Sequence, residues 1–442
     1  MSAAALYRTL WRWHFYAGLF VIPFVLLLAL SGTVFLFKPQ VDRWEERAFQ
    51  NLPLAGTVAP GLQVQAALDA FPGARMHSFR LAARDGDASM VHLALADGRM
   101  RDVFVAPRGE VLGSLDPETR LIAVMRKVHG QLLLGPRGSW LVELAASWAI
   151  VMIISGVYLW WPRGRGLAGV LWPRRRTLLR DLHAVTGFWV AGFTLVLLLT
   201  GLPWADVWGR SFQAVRTRMG WVQGTSDWTV GGQTSGGHAA HEHSAMHTLP
   251  DAPPDLLQLD RIVVRAASEH LPAPVVVVPP GAPQAFGAMA LASWTVRSDT
   301  QIRPQGVTIN FDGQAREISR SVFTDKHPLD QVVGYGTAWH EGQLFGAINQ
   351  AIGVLTAAAL VTLSISGFLM WRRRRPAGAL GAPALPADQR KPAAVALIVL
   401  LLALLLPLLA ASLLLLCLTD QMLPRVSPRA AHWLGMQPRS RA

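Results

Sequence analysis

The chain alternates long apolar runs with mixed polar stretches. Five runs, roughly 14–37, 140–161, 183–204, 345–371 and 392–419, are long enough to form membrane-crossing helices, because about 20 apolar residues rising ~1.5 Å each cover the hydrocarbon layer. The first run is followed by KPQVDRWEER, not a small-residue cleavage site, so it reads as a retained helix. Between the runs the period changes. In 39–139, LQVQAALDAF has a helical pattern, and RMHSFRLA, SMVHLALADG and RDVFVAPRGEVLG read as strands with turns at ADGR and APRGE. In 205–344, LDRIVVRAASEH predicts a helix and VTINFDGQAREIS a hairpin turning at Asp312-Gly313, while PAPVVVVPPGAPQAFG reads as an irregular Pro/Gly-rich piece. The Gly-, Ser- and His-rich segment 225–254 reads as an external loop.

Charge gives these elements a direction. The net charge is +13, but arginines cluster beside the spans: Arg8 and Arg12; Arg163, Arg165, Arg174, Arg175, Arg176 and Arg180; and Arg372 to Arg375 with Arg390 and Lys391. The positive-inside rule makes all three groups cytoplasmic. The expected order is then a cytoplasmic N-terminus and first span (1–38), an external domain (39–139), a span (140–162), a cytoplasmic loop (163–182) and a span (183–204). A second external domain (205–344), a span (345–371), a cytoplasmic loop (372–391), a span (392–419) and an external tail (420–442) follow. Basic residues that flank spans instead of lining one soluble face exclude a nucleic-acid partner and leave lipid as the surroundings. The single cysteine, Cys417, excludes an internal disulfide, an iron–sulfur cluster, covalent c-type haem attachment and a multi-thiolate zinc site.

The runs repeat. Residues 10–162 and 179–373 each read as span, external domain, span. His14 and Gly18 match His183 and Gly187; Ser31-Gly32 matches Thr200-Gly201; Ser155-Gly156 matches Ser366-Gly367. His129-Gly130-Gln131-Leu132 with Gly135 matches His340, Gly342-Gln343-Leu344 and Gly346. The predicted fold class is a membrane α-helical bundle of five transmembrane helices. It is a tandem helix–domain–helix repeat plus one C-terminal helix, carrying two small external α+β domains.

Four histidines stand at equivalent places at the ends of these spans, where an imidazole without a partner is costly. Axial ligation of two b-type haems explains all four, since such haems are held by side chains alone. Equal depth pairs His14 with His183 as an inner site and His129 with His340 as an outer one. Gly18, Gly187, Gly130, Gly135, Gly342 and Gly346 would let a flat macrocycle approach the backbone, although small residues also serve helix packing in lipid. Arg12 and Arg180, and Arg126, Lys127 and Arg137, are placed to neutralise propionates. His327 and Glu341 read as surface or interfacial groups near the outer site, and His77, His92, His270 and His432 as surface or domain-core residues. His238, His241, His243 and His247 in the external loop have spacings that suit copper, zinc or iron.

RTLWRWHFYAGLF, LLLALSGTVFLF, RDLHAVTGFW and KHPLDQVVGYGTAWHEGQLFGAINQAIG resemble the helices of the PepSY-associated transmembrane family, and FVAPRGEVLG and INFDGQAREI resemble the strand–turn–strand of PepSY domains. Within that family the chain is most similar to inner-membrane, iron-regulated ferric-siderophore reductases. The resemblance implies a bacterial inner-membrane protein with two haem b groups on His14, His183, His129 and His340, passing electrons to a ferric siderophore or other ferric chelate on the periplasmic side. The cytoplasmic segments lack a G-x-G-x-x-G strand–helix pattern, so the electron donor is expected to be a separate cytoplasmic flavoprotein or a membrane quinol. Two rival readings remain: a membrane-anchored PepSY binding or peptidase-regulatory module, and periplasmic copper handling through the His-rich loop.

Overall fold

The computed structural model describes residues 3–161, 171–221, 253–283, 291–384 and 393–436. The chain divides into two compact units. A bundle unit comprises Met1–Thr33, Val128–Ser211 and Ala351–Ala442, and a sheet unit comprises Val34–Lys127 and Phe212–Gln350. In chain order the elements are α1 (Ala3–Leu36), α2 (Lys38–Glu45), α3 (Pro60–Ala70), β1 (Arg75–Arg80), β2 (Ser89–Ala94), β3 (Met100–Val105), β4 (Val111–Leu115), α4 (Leu121–Gln131), α5 (Pro136–Trp160), α6 (Leu178–Gly201) and α7 (Asp206–Arg218). They continue with α8 (Leu256–Ser268), β5 (Val275–Val278), β6 (Trp294–Ser298), β7 (Val307–Phe311), β8 (Glu317–Val322), α9 (Pro328–His340), α10 (Ala347–Arg374), α11 (Ala393–Leu405), α12 (Pro407–Val426) and α13 (Pro428–Trp433).

Among the described residues, five helices are long and apolar enough to cross a membrane: α1, α5, α6 with the short turn after it, α10 and α12. Two ends of the bundle can be told apart. At one, the ring of His14 near the start of α1 lies 6.5 Å from that of His183 near the start of α6, and Arg374 at the end of α10 lies over Trp11. At the other, the buried Glu143 near the start of α5 accepts the N–H groups of Val207 and Trp208 just past α6 (2.9 and 3.1 Å).

The fifth apolar run, expected as one span over 392–419, is two helices. Pro407 has no N–H to donate and crowds the residue before it, so Leu406 leaves the helical region (φ −123°, ψ 91°). The Trp208 indole donates to the Leu405 carbonyl at the break (3.0 Å), and Leu406 and Leu409 pack with Ile150 and Leu202. The break therefore lies toward the Trp208 end. Both flanks lie at the opposite end: Arg12 donates to the carbonyls of Pro383 (2.7 Å) and Gly435 (3.0 Å), Tyr16 donates to Leu434 (2.5 Å), and Leu380 N–H donates to Trp433 (2.8 Å). The chain thus goes over and back between Pro383 and Trp433. The residues after α12 sit at the same end as the N-terminus, not at the far side as expected for 420–442.

The sheet unit differs from expectation in a second way. The two segments between the spans, 39–139 and 205–344, form one sheet, not two separate domains. Its eight antiparallel strands run β4-β3-β2-β1-β5-β6-β7-β8. Each segment contributes a helix and four strands in the same order, and the halves meet where β1 pairs with β5 through Phe79↔Val277 and Arg80↔Val276. The β5 run, read as irregular from its flanking prolines, is buried at all four positions, as a strand covered on both faces is. Helices α3 and α8 cover the sheet. Gly61 donates its N–H to Asp260 Oδ1 (2.7 Å), and a Cβ at Gly61 would stand 3.0 Å from Leu256; the glycine lets the two helices approach. Val64, Phe79, Val91, Leu259, Val277, Ile309 and Phe311 share one core.

Candidate functional site

The bundle unit brings the two inner histidines together across the repeat. His14 comes from α1 and His183 from α6, and their ring planes are nearly perpendicular (87°). Each imidazole is held from behind by a different helix. His14 Nδ1 lies 3.0 Å from the Met152 carbonyl and 3.1 Å from Ser155 Oγ on α5. His183 Nδ1 lies 3.1 Å from the Leu363 carbonyl and 3.0 Å from Ser366 Oγ on α10. A carbonyl oxygen can only accept, so in each ring Nδ1 is the donor. In a neutral ring the lone pair then resides on Nε2.

This geometry fits one metal ion between two axial imidazoles. A metal–imidazole bond is about 2.0 Å, and roughly 1.1 Å more separates the nitrogen from its ring centre, so two such rings stand about 6.2 Å apart across the metal. The observed 6.5 Å is within the tolerance of that figure. Perpendicular planes remain compatible with a shared axis, because each ring can turn about its own metal bond. A carbonyl behind Nδ1 is the usual outer partner of a metal-bound histidine. Two imidazoles are a donor set of the kind that a b-type haem uses.

The other expected residues are placed as follows. His129, on α4, repeats the arrangement: its Nδ1 lies 3.2 Å from Ser31 Oγ on α1. Burial holds its pKa below the ordinary value, opposed by the Leu28 carbonyl, which favours a neutral ring at pH 7. His340 is the last residue of α9 in the sheet unit. His327 is the N-cap of α9, its Nδ1 accepting the Leu329 N–H (3.2 Å). Glu341 is buried beside Arg303 (3.4 Å). His238, His241, His243 and His247 lie outside the described residues.

Of the arginines assigned to propionates, Arg12 is committed to the Pro383 and Gly435 carbonyls, and Lys127 pairs with Glu118. Arg126 has a buried Nε without a hydrogen-bond partner. The glycines four residues after His14 and His183 have room: a Cβ at Gly18 or Gly187 would make only ordinary contacts, at 3.8 and 3.5 Å. The glycines that do press on imidazoles are Gly156, Gly367 and Gly32. The repeat had marked them, with the serines before them, as equivalent positions, but alignment alone gave them no role.

A second polar cluster, in the sheet unit, is also absent from the sequence reading. His92 is fully buried and bonds Asp102 through Nδ1 (2.6 Å), with the His77 ring 5.2 Å away. Arg120 reaches Glu46 (2.9 Å), Glu45 (3.0 Å), Asp42 (3.4 Å) and Asp102 (3.6 Å). Burial pushes the Asp102 pKa up, but His92 and Arg120 outweigh it and hold the carboxyl below its ordinary range. Each charge here is compensated by another, so the cluster reads as the tie between α2, β3 and the start of α4.

No curated protein sequence matches the chain. The model of the PepSY-associated TM region does match, over residues 11–374. That span takes in the paired histidines, their serine–glycine partners and the whole fused sheet, and the chain belongs to this family of multi-pass membrane proteins.

Proposed function

We propose that the protein is a di-haem oxidoreductase of the bacterial inner membrane that delivers electrons to ferric iron held in a siderophore or similar chelate at the periplasmic face. The observation that carries this reading is the His14–His183 pair: two rings from the two repeats, 6.5 Å apart, each with Nδ1 turned onto a carbonyl. His14 and His183 would hold one haem, and His129 and His340 are assigned to the second by the repeat. Bound haem b supplies one-electron redox chemistry at a potential set by its ligands and surroundings. The chain's own residues bind and orient it: α5 and α10 fix the two inner rings, and the apolar helix faces exclude water. The net reaction passes electrons singly from a quinol or flavoprotein, so that one quinol oxidised to quinone, with release of two protons, reduces two chelated Fe(III) to Fe(II), which hard-oxygen chelators hold less well. No general acid or nucleophile is required.

The test is a reduced-minus-oxidised absorption spectrum of the purified full chain expressed with adequate haem. A b-type α-band is expected, and a ferric chelate should reoxidise the reduced protein. Absence of the α-band overturns the reading.

A further inference from the structure

Three histidines of the bundle rest on the same two-residue device. His14 lies on Ser155-Gly156, His183 on Ser366-Gly367 and His129 on Ser31-Gly32. The serine contacts Nδ1 each time, and the glycine lies under Cε1: a Cβ would stand 3.0 Å from His14 Cε1, 3.3 Å from His183 Cε1 and 3.0 Å from His129 Cε1. Small residues in membrane helices ordinarily serve close helix approach. Here, in all three cases, the atoms nearest the absent side chain belong to an imidazole.

The serine hydroxyls are already committed. Ser155 donates to the Met152 carbonyl (3.1 Å), Ser366 to Leu363 (3.2 Å) and Ser31 to Leu27 (2.8 Å), each a carbonyl of its own helix. With its proton turned back, each oxygen can only accept from the ring. For His14 and His183 the N–H is therefore shared between a carbonyl and a hydroxyl oxygen, both acceptors. That arrangement excludes the tautomer with its lone pair on Nδ1 and makes the opposite nitrogen a better electron donor. The glycine makes the contact possible, since a methyl group there would push the ring away from both acceptors.

We infer that Ser155-Gly156 and Ser366-Gly367 are positioning residues that seat the two inner imidazoles in a single tautomer at a fixed depth and strengthen them as ligands. The inference rests on the haem reading. It makes the serine an adjustable acceptor that sets the electron-donating strength of its histidine, and the glycine a fixed stop.

The test uses the purified full chain as wild type, Ser155→Ala, Ser155→Thr, Ser366→Ala and Gly156→Ala. Haem content is measured by pyridine haemochrome, ligation by electron paramagnetic resonance and potential by spectroelectrochemistry. Ser→Ala at either site should leave haem content and the low-spin signal intact and raise the midpoint potential of one haem, because the ring loses an acceptor. Ser155→Thr retains the hydroxyl and should restore the wild-type value. Gly156→Ala should lose the low-spin signal of one haem. An unchanged potential in both alanine variants, with haem bound, overturns the inference and leaves the haem reading standing. Wild type without an α-band overturns both. If Ser155→Ala does not fold, Ser366→Ala and Ser155→Thr decide the matter.

Discussion

The seam of the fused sheet invites a direct test through Val277→Ala. Val277 is fully buried on β5, faces Phe79 across the join to β1 and shares the core with residues of both halves. Removing two buried methyl groups costs about 1.6 kcal/mol in transfer free energy, and the cavity left behind raises the total to about 2–3 kcal/mol. If the eight strands open as one cooperative unit, this loss lowers the opening free energy of strands contributed by either segment. A change of about 2.5 kcal/mol speeds amide exchange roughly 60-fold where opening is globally limited. The assay is hydrogen–deuterium exchange with mass spectrometry on the full chain in detergent, following peptides from β2–β3 and from β6–β7. Faster exchange confined to β6–β7, with β2–β3 at the wild-type rate, would refute a single sheet and restore two independent domains.

Three further outcomes follow from the same structure. His14→Ala and His183→Ala should each abolish the same one of two haem signals while leaving the other, measured by haem content and redox titration; loss of different haems would break the pairing. A reporter fused after residue 436 should read the same side of the membrane as one fused to the N-terminus, because Leu434 and Gly435 bond Tyr16 and Arg12; a periplasmic C-terminal reporter beside a cytoplasmic N-terminal one refutes the over-and-back path. Asp102 is held below its unfolded-state value of 3.8, so its contribution is present above that pH and is lost as pH falls through the lower folded value. Asp102→Asn should accordingly flatten the acid limb of the sheet unit's unfolding curve below pH 4, and an unaltered slope counts against the buried pair.

Much of this was legible in the sequence because hydrophobic length and repetition are local signals. The first four spans, the helix and strands of the segment 39–139, the helix and last hairpin of the segment 205–344 and the equivalence of His14 and His183 all follow from period and spacing. The fusion of the two segments was not legible. Strand pairing between β1 and β5 joins residues about 200 positions apart, and the prolines beside β5 concealed a strand whose burial on both faces left it no alternation to read. The return of the last apolar run was hidden for a different reason. Length and composition over 392–419 describe a crossing equally well whether it is single or bent, and the tail's position depends on carbonyls at Pro383 and Gly435 that no side-chain pattern reveals. At the candidate site the sequence singled out His14 and His183 and marked the Ser-Gly pairs. It gave those pairs no role, because their contacts with the imidazoles are made across the bundle.

Each unit joins the two repeats by a seam of its own, and the two seams differ in what they need. In the sheet, β1 and β5 satisfy each other through backbone hydrogen bonds and a shared apolar core, so the join is complete in the polypeptide alone. In the bundle, the seam is His14 against His183. Both rings have spent their one N–H on acceptors behind them, so two neutral rings present a lone pair each and no proton to share. They cannot hydrogen-bond to one another. Under the proposed function, a haem held by His14 and His183 would complete this seam. The histidine pair is thus where the two repeats meet in the bundle with both Nδ1 protons already engaged, and it is the feature on which the proposed haem reading rests.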